Sequence, residues 1–324
     1  MSITELDELQ HPASDDWLWR ESLYFNFHDA SGKIAGMTTA GVRPNQNRVK
    51  GLAAIFLNPQ QILMHGVDCP LDAENAGLYS AGGISYEILT PLKKWRVRAE
   101  ADFTSVDPCQ TRQGDPSTQA IVPASFDFTF DALDPAYEFP PDVIEPLGGR
   151  ARHYEQNGRI EGSVVVGSQE FAVNGFGARD HSWGIRDWLK ADRWSMIFAQ
   201  FGPRFTANVV LGAVQGQEVS IGYIFHGGIN IPIKDAQFDV ETDPVSDLPQ
   251  EAQMEVTTVD GQSFSIQGSV NSIFPIFLSQ GQGQVRWYEC STRYTCGQQT
   301  GYGMLEVVQT LHRDTSSSQT TRLS

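Results

Sequence analysis

The chain has 324 residues, of which 40% are hydrophobic and 19% are charged. This composition is typical of a globular protein and excludes a disordered or fibrous chain. The formal net charge is −16, which argues against nucleic acid or an anionic membrane as partner, because their phosphates would repel the protein. The length allows one large domain or two ordinary ones.

The N-terminal region and the cysteines predict a reduced, cytoplasmic protein. Residues 1–17 are polar and acidic and lack the apolar core of a signal peptide. No apolar run approaches the roughly 20 residues that a membrane-spanning helix needs, so no transmembrane segment is expected. The four cysteines are too few and too irregularly spaced for a disulfide framework. Nothing in the sequence sets the oligomeric state.

The first half of the chain alternates strand patterns with turns. An acidic lead at residues 1–16 precedes the alternating run Leu23–His28, and a turn at Asp29–Lys33 leads into a returning strand at Ile34–Arg43. We predict that the strands of this half form an N-terminal β domain over residues 17–149.

The clearest strand pattern contains three phenylalanines. Phe126, Phe128 and Phe130 alternate with polar residues, and this period of two places them on one face of a half-buried strand. The segment Leu133–Gly149 then loses periodicity and collects four prolines and two glycines. That segment is the predicted domain boundary.

Strand patterns resume in a predicted second domain at residues 150–312. An Asp-Gly pair between residues 253–259 and 263–268 is typical of a tight β-hairpin, and residues 313–324 form a Ser/Thr-rich tail predicted to be disordered. Helical periodicity is almost absent. Two blocks of short antiparallel strands therefore predict an all-β protein with two consecutive barrels or sandwiches.

The segment Gly175–Trp188, with the sequence GFGARDHSWGIRDW, has a composition that an ordinary strand does not need. It contains two Arg-Asp pairs, one histidine and two tryptophans between glycines. The paired charges can form charge-assisted hydrogen bonds, and His181 titrates near neutral pH. We therefore expect this segment to contribute the catalytic or ligand-binding residues of the protein.

The same segment resembles the signature of the superfamily of carotenoid 1,2-hydratase (hydroxyneurosporene synthase) and the AttH-like proteins. Residues 19–27 resemble its first-domain opening, and the stretch from Gly301 to Glu306 resembles its C-terminal Gly-Tyr-Gly strand. The resemblance implies two consecutive lipocalin-like β-barrels and chemistry on hydrophobic substrates of the isoprenoid or polyene type. It implies a lyase or isomerase that acts as a hydratase or cyclase. Such an enzyme would belong to secondary metabolism, for example terpenoid biosynthesis.

Acid-initiated hydration or cyclisation of an alkene requires a neutral carboxylic acid beside a pocket that tolerates a carbocation. Asp180 is the predicted proton donor, His181 the relay or base, and Glu306 a supporting acid. A hydrophobic small molecule is the predicted partner. The predicted substrate-binding residues are Arg179, Trp183, Arg186, Asp187, Trp188, Trp194 and Tyr302.

Other readings of these residues stay open. The Arg and Asp side chains can form a purely structural ion-pair lattice, and the tryptophans can be core residues. A barrel can carry a hydrophobic molecule without chemistry, and paired carboxylates across an open cleft would suit carbohydrate processing. No metal or other cofactor is expected, since metal-ligand spacings and nucleotide-binding loops are missing from the sequence.

Overall fold

The structure is a computed structural model that describes residues 3–57, 61–73, 76–107, 120–145, 149–280 and 283–311. Most of these residues lie in antiparallel strands, and the helical elements are single turns. They are two 3₁₀ turns at Glu5–Glu8 and Pro44–Gln46 and one α-helical turn, α1, at Pro141–Ile144. No helix within these ranges has the length and apolar character to cross a membrane. The prediction of an all-β protein is confirmed.

Eleven strands form the first sheet. They are β1 (Trp19–Asp29), β2 (Ile34–Arg43), β3 (Arg48–Leu57), β4 (Gln61–Pro70), β5 (Ser80–Ala81), β6 (Ile84–Thr90), β7 (Lys94–Val106), β8 (Ile121–Ala132), β9 (Tyr137–Glu138), β10 (Gly149–Val166) and β11 (Gln169–Arg186). The pairing order runs β4-β3-β2-β1-β11-β10-β8-β7, and a short pairing of β4 with β7 closes this path on itself. We call it the first barrel.

Eight further strands form a closed second barrel. They are β12 (Arg193–Gly202), β13 (Phe205–Val214), β14 (Gln217–His226), β15 (Ile229–Thr242), β16 (Pro249–Thr258), β17 (Ser263–Gln280), β18 (Gly283–Cys296) and β19 (Gln299–Leu311). Each strand pairs with its neighbour in sequence, and β19 pairs with β12. The hairpin predicted around Asp260 and Gly261 joins β16 to β17.

Each barrel is filled by its own side chains. The three phenylalanines of β8 are buried in the core of the first barrel, as their alternation predicts. A separate apolar cluster fills the second barrel. A third cluster joins the outward faces of both barrels and includes Met37 on β2, Met196 on β12 and Met304 on β19. The outer faces of the two barrels therefore pack against each other.

The proline-rich segment does not separate the two barrels. β10 and β11 follow it in the chain but belong to the first barrel, where β10 pairs with β8 and β11 pairs with β1. The chain passes to the second barrel only between Arg186 and Arg193. Sheet membership therefore changes between Arg186 and Arg193 and not near the boundary predicted at residue 149, because the prolines mark an irregular connection within the first barrel.

The segment Gly175–Trp188 is correspondingly mostly strand and not a connection between strands. Its residues up to Arg186 form the C-terminal two thirds of β11, between β1 and β10. Two of its glycines allow this close pairing: a Cβ atom on Gly175 or Gly177 would lie 2.0 Å from a carbonyl oxygen of β1. Larger residues would push the two strands apart.

Both ends of the chain were assigned to separate regions in the sequence prediction. Part of the acidic lead packs on the first barrel, since Glu8 is fully buried and His11 is partly buried. The tail predicted at residues 313–324 lies outside the described residues.

Candidate active site

A cavity of about 510 Å³ lies between the outer faces of the two barrels. Its first-barrel wall comes from β1 to β4, β10 and β11, and its second-barrel wall from β12 to β14 and β17 to β19. Apolar side chains supply much of the lining, among them Met37, Leu52, Phe139, Met196, Val210, Ile221, Ile276 and Leu278. The volume suits a small organic molecule.

The motif strand β11 sends alternate side chains to opposite sides. Asp180, Ser182 and Arg186 line the cavity, whereas His181 is fully buried on the other side of the strand. Successive residues of a strand must point to opposite faces. Asp180 and His181 therefore lie on opposite sides of β11, and the structure does not bring them together as the predicted proton donor and relay.

His153 on β10 takes the place that the sequence analysis gave to His181. It pairs in register with Ser182, and its Nδ1 lies 2.6 Å from the Ser182 hydroxyl. That hydroxyl donates to Asp180 Oδ1 at 3.4 Å and accepts a hydrogen bond from Arg186 at 3.3 Å. One donated and two accepted bonds satisfy a serine hydroxyl completely when His153 Nδ1 carries the proton.

A buried glutamate completes this chain of hydrogen bonds. His153 Nε2 lies 2.9 Å from Glu155 Oε1, and Asn208 donates to the other oxygen of Glu155 at 2.9 Å. Burial raises the pKa of Glu155 to about 8 and lowers the pKa of His153 to about 4. At neutral pH the pair is therefore neutral, and Glu155 donates its proton to His153 Nε2. A continuous hydrogen-bonded path links Glu155 to Asp180.

Asp180 itself is in an environment of opposing influences. Burial raises its pKa, and the carboxyl of Glu155 acts in the same direction. His153, Arg186 and Arg20 oppose this effect. The pKa of Asp180 stays above its ordinary value, because desolvation is the largest of these causes.

Two buried glutamates face each other across strands β18 and β19. Glu289 and Glu306 are directly paired in register, are 0% and 6% exposed, and both line the cavity. Burial raises the pKa of Glu306 to about 8, and the pKa of Glu289 is also raised by burial and by the neighbouring Glu306. Like charges directly across a strand pair disfavour each other, so the pair holds at least one proton at neutral pH.

Glu289 has a further unusual property. Neither of its carboxyl oxygens has a partner at ordinary hydrogen-bond geometry within the described part of the chain, and neither has the indole N–H of Trp287 on the same strand. Tyr24 and Trp287 nevertheless lie close enough to the carboxyl to act against the rise in its pKa. Buried polar atoms are seldom left without partners. The wall at Trp287 and Glu289 is therefore suited to a polar group of a ligand or to a water molecule.

Three tryptophans form one wall of the cavity: Trp188, Trp194 and Trp287. Their ring centroids lie 5.4 to 5.6 Å apart in stacked, tilted and edge-on pairs. Trp188 and Trp194 were predicted as substrate-binding residues, and they line the cavity. Trp287 was not predicted, because its strand carries no signal apart from ordinary alternation.

His181 belongs to a cluster outside the cavity. Its Nε2 lies 2.9 Å from Glu21 Oε1, and His11 Nδ1 lies 2.8 Å from the same oxygen. Burial acts to raise the pKa of Glu21, but its hydrogen bonds to the two histidines outweigh burial and lower it. The cluster thus fastens the N-terminal segment to the first barrel.

The same three residues could in principle hold a metal ion. Their ligand atoms lie within 4.8 Å of one another, the one such group in the described ranges. Imidazole and carboxylate are common zinc ligands. One ring nitrogen of each histidine bonds to Glu21, and His181 Nδ1 lies 3.4 Å from the Tyr154 hydroxyl, so these contacts hold the cluster together without a metal ion.

Four further predicted residues also lie outside the cavity lining. Arg179 is fully buried against Glu8 and Trp95, and Trp183 stacks on His11 with centroids 3.9 Å apart. Asp187 accepts the backbone N–H of Leu189 in a turn, and Tyr302 packs near Gly32 and His28. By contrast Asp180, Arg186, Trp188, Trp194 and Glu306 are brought together in the cavity.

The fold and cavity define a β protein of the lipocalin-like, two-barrel type, with a largely apolar cavity between the barrels. Two solved structures share this fold at low sequence identity. An AttH-like protein, NE1406 from Nitrosomonas europaea, matches with a TM-score of 0.61 at 13% identity, covering 92% of this chain and 96% of that one. Kievitone hydratase from Nectria haematococca matches with a TM-score of 0.55 at 12% identity, covering 95% and 93%.

CghA is a third protein of this fold, with a TM-score of 0.56 at 11% identity and coverage of 93% of both chains. These matches confirm the superfamily resemblance at the level of the fold. The chain belongs to the family described as "Domain of unknown function (DUF7064)", whose model matches residues 4–310. No curated protein sequence matches the chain.

Proposed function

We propose that this protein is an enzyme that adds water to, or closes a ring in, an apolar unsaturated small molecule held between the two barrels. The observation that carries the proposal is the facing pair of buried carboxyls, Glu289 and Glu306, in the wall of an apolar cavity. Two solved proteins of the same fold fit the proposal: one is named kievitone hydratase, and CghA was solved with the compound Sch210972.

The proposed first step is proton transfer from Glu306. Its carboxyl O–H protonates one carbon of a substrate double bond, and the π electrons of that bond form the new C–H bond. The other carbon becomes a cation, which the faces of Trp194 and Trp287 stabilise by about 2 kcal/mol in a desolvated site. Glu306 replaces Asp180 as the proposed donor, because Arg20 and Arg186 act against protonation of Asp180.

The second step removes a proton. In a hydration, water attacks the cation and its proton passes to the Asp180 carboxylate. In a cyclisation, an internal double bond or hydroxyl attacks the cation, and the proton lost from carbon or oxygen passes to the same carboxylate. The hydrogen-bonded path from Glu155 through His153 and Ser182 donates toward Asp180 and holds its carboxylate in place. His153 is therefore proposed as a positioning residue.

A deuterium experiment tests the proposed function. The protein is incubated in D₂O with a panel of prenylated phenols, isoprenoid alcohols and polyene acids, and the products are analysed by mass spectrometry. Hydration adds one water, cyclisation preserves the substrate composition, and either reaction leaves one non-exchangeable deuterium at the protonated carbon. Tight binding of panel members with no conversion would contradict the proposal and favour the alternative, a carrier of hydrophobic small molecules.

The activity is expected to fall as the pH rises through about 8. Burial raises the pKa of Glu306 to about 8, so the donor form is present below that pH and is lost above it. A pH profile of kcat/KM measures this directly. Activity that keeps increasing above pH 8 would exclude Glu306 as a general acid.

The stability of the fold should follow the same titration. In the unfolded chain a glutamate releases its proton near pH 4.5, whereas Glu306 and Glu155 keep theirs to about pH 8 in the fold. These two glutamates make the folded state bind more protons between these values, whereas His153, with its pKa lowered from 6.5 to about 4, binds fewer than its unfolded form below about pH 6.5. The glutamates are therefore expected to make stability decrease as the pH rises through the window from about 6.5 to 8. Thermal unfolding midpoints measured across the window provide the check.

A further inference from the structure

The cavity carries an unexpected excess of positive charge. Four cationic side chains line it: Arg20, Arg43, Lys50 and Arg186. Within the described ranges only Lys50 has a carboxylate oxygen within 4 Å, that of Asp68 at 3.3 Å, and Asp68 also pairs with Arg48. The three arginines form no ion pair at this distance with any described residue.

Neutral groups hold two of these arginines in place. Arg20 donates to the Ser22 hydroxyl at 3.0 Å and lies 4.8 Å from the ring centre of Trp188, and Arg186 lies 5.2 Å from the same ring. These contacts orient the guanidinium groups without neutralising them. Burial lowers the pKa of Arg20, and repulsion from the positive charges of Arg186 and Arg43 lowers it further.

The carboxyl groups of the cavity do not balance these charges. Asp180 acts on both Arg20 and Arg186, and Asp68 acts on Arg43. Burial raises the pKa values of Glu289 and Glu306, which favours their neutral forms. The protein as a whole carries a net charge of −16. A local excess of cations in such a chain focuses an attractive potential on anions.

We propose that the ligand of this cavity carries a carboxylate on an apolar skeleton, and that Arg20 and Arg43 bind this carboxylate beside Trp188. The planar guanidinium suits bidentate binding of a carboxylate. The apolar skeleton then extends over the cavity lining toward Glu289 and Glu306. The inference rests on the proposed function only in placing the substrate in this cavity, since binding of the anion needs no chemistry.

The test compares three amphiphiles with the same chain: dodecanoate, dodecanol and dodecyltrimethylammonium. Their affinities for the full-length protein are measured by titration calorimetry at concentrations below micelle formation. Dodecanoate is expected to bind at least about ten-fold more tightly than dodecanol, a typical effect of a desolvated charge-assisted bond. The ammonium ion should bind most weakly, although the net charge of the protein would attract it.

Substitutions of Arg20 and Arg43 test whether these two side chains bind the carboxylate. We expect the single variant Arg43→Gln, and the double variant that also carries Arg20→Gln, to lose the preference for dodecanoate. The affinity of both variants for dodecanol should stay unchanged. Arg193→Gln is the matched control, because Arg193 is exposed and pairs with Glu218 away from the cavity lining. Arg20→Lys keeps the charge and serves if Arg20→Gln does not fold.

Three results would overturn the inference: no binding of dodecanoate, equal affinities for the three amphiphiles, or a dodecanoate preference that survives in the double variant. Each can be separated from the proposed function. If the protein converts a neutral substrate in D₂O but shows no preference for dodecanoate, the enzyme proposal stands and the carboxylate proposal is wrong. If it prefers dodecanoate but converts no substrate, the carboxylate proposal stands and the enzyme proposal is wrong.

Discussion

Replacing Glu306 with glutamine is expected to lower kcat by about 10²–10⁴-fold, the usual effect of removing a general acid. Glutamine has nearly the same shape as a protonated glutamate but carries no proton that it can transfer at neutral pH. KM should stay within about three-fold, because the lost interaction belongs to the transition state. Steady-state kinetics on a substrate identified in the D₂O experiment give both constants.

A second measurement needs no substrate. Infrared spectra of the wild-type protein at neutral pH should show a band from buried protonated carboxylic acid, and this band should weaken in Glu306→Gln. Glu161→Gln is the control, because Glu161 lies on β10 and is exposed to solvent. Full turnover in Glu306→Gln would identify another donor, with Glu289 and Asp180 as the next to examine.

The fold could be predicted from the sequence because strand alternation is a local signal. Phe126, Phe128 and Phe130 repeat every second residue, and they fill the first barrel as that period requires. The number of barrels also follows from the density of such patterns and from the superfamily resemblance. The connection between barrels could not be located, because whether a strand joins one sheet or another depends on pairings with distant residues.

The candidate site was predicted in part, and the errors have one physical cause. The composition of residues 175–188 is not one that an ordinary strand needs, and the sequence analysis let the neighbours Asp180 and His181 act together, yet the segment is largely a strand. In a strand Asp180 and His181 must separate, and alternation alone would have separated them. His153 and Glu289 reach the cavity through register with Ser182 and Glu306, and register is not visible in a single sequence.

The side of β11 that faces away from the cavity carries a buried ion pair between Arg179 and Glu8, which we expect to stabilise the fold. Replacing Arg179 with methionine should lower the free energy of unfolding by about 3–5 kcal/mol, the cost of removing one partner of a buried ion pair. Arg179 and Glu8 have fully buried side chains, with Nη2 2.5 Å from Oε1, and the second oxygen of Glu8 has no other partner in the described residues. Methionine would leave the Glu8 carboxylate buried without its cation.

A double variant separates the ion pair from ordinary packing. Combining Glu8→Gln with Arg179→Met should recover part of the loss, since contacting residues show coupling of about 0.5–3 kcal/mol. Arg193→Met, at an exposed ion pair, should cost less than about 1 kcal/mol. Urea unfolding gives these values, and dodecanoate binding to the cavity should stay unchanged throughout. If Arg179→Met instead kept full stability and lost ligand binding, Arg179 would have the substrate-binding role predicted from the sequence. The ion pair with Glu8 would then not be needed to hold the N-terminal segment on the first barrel.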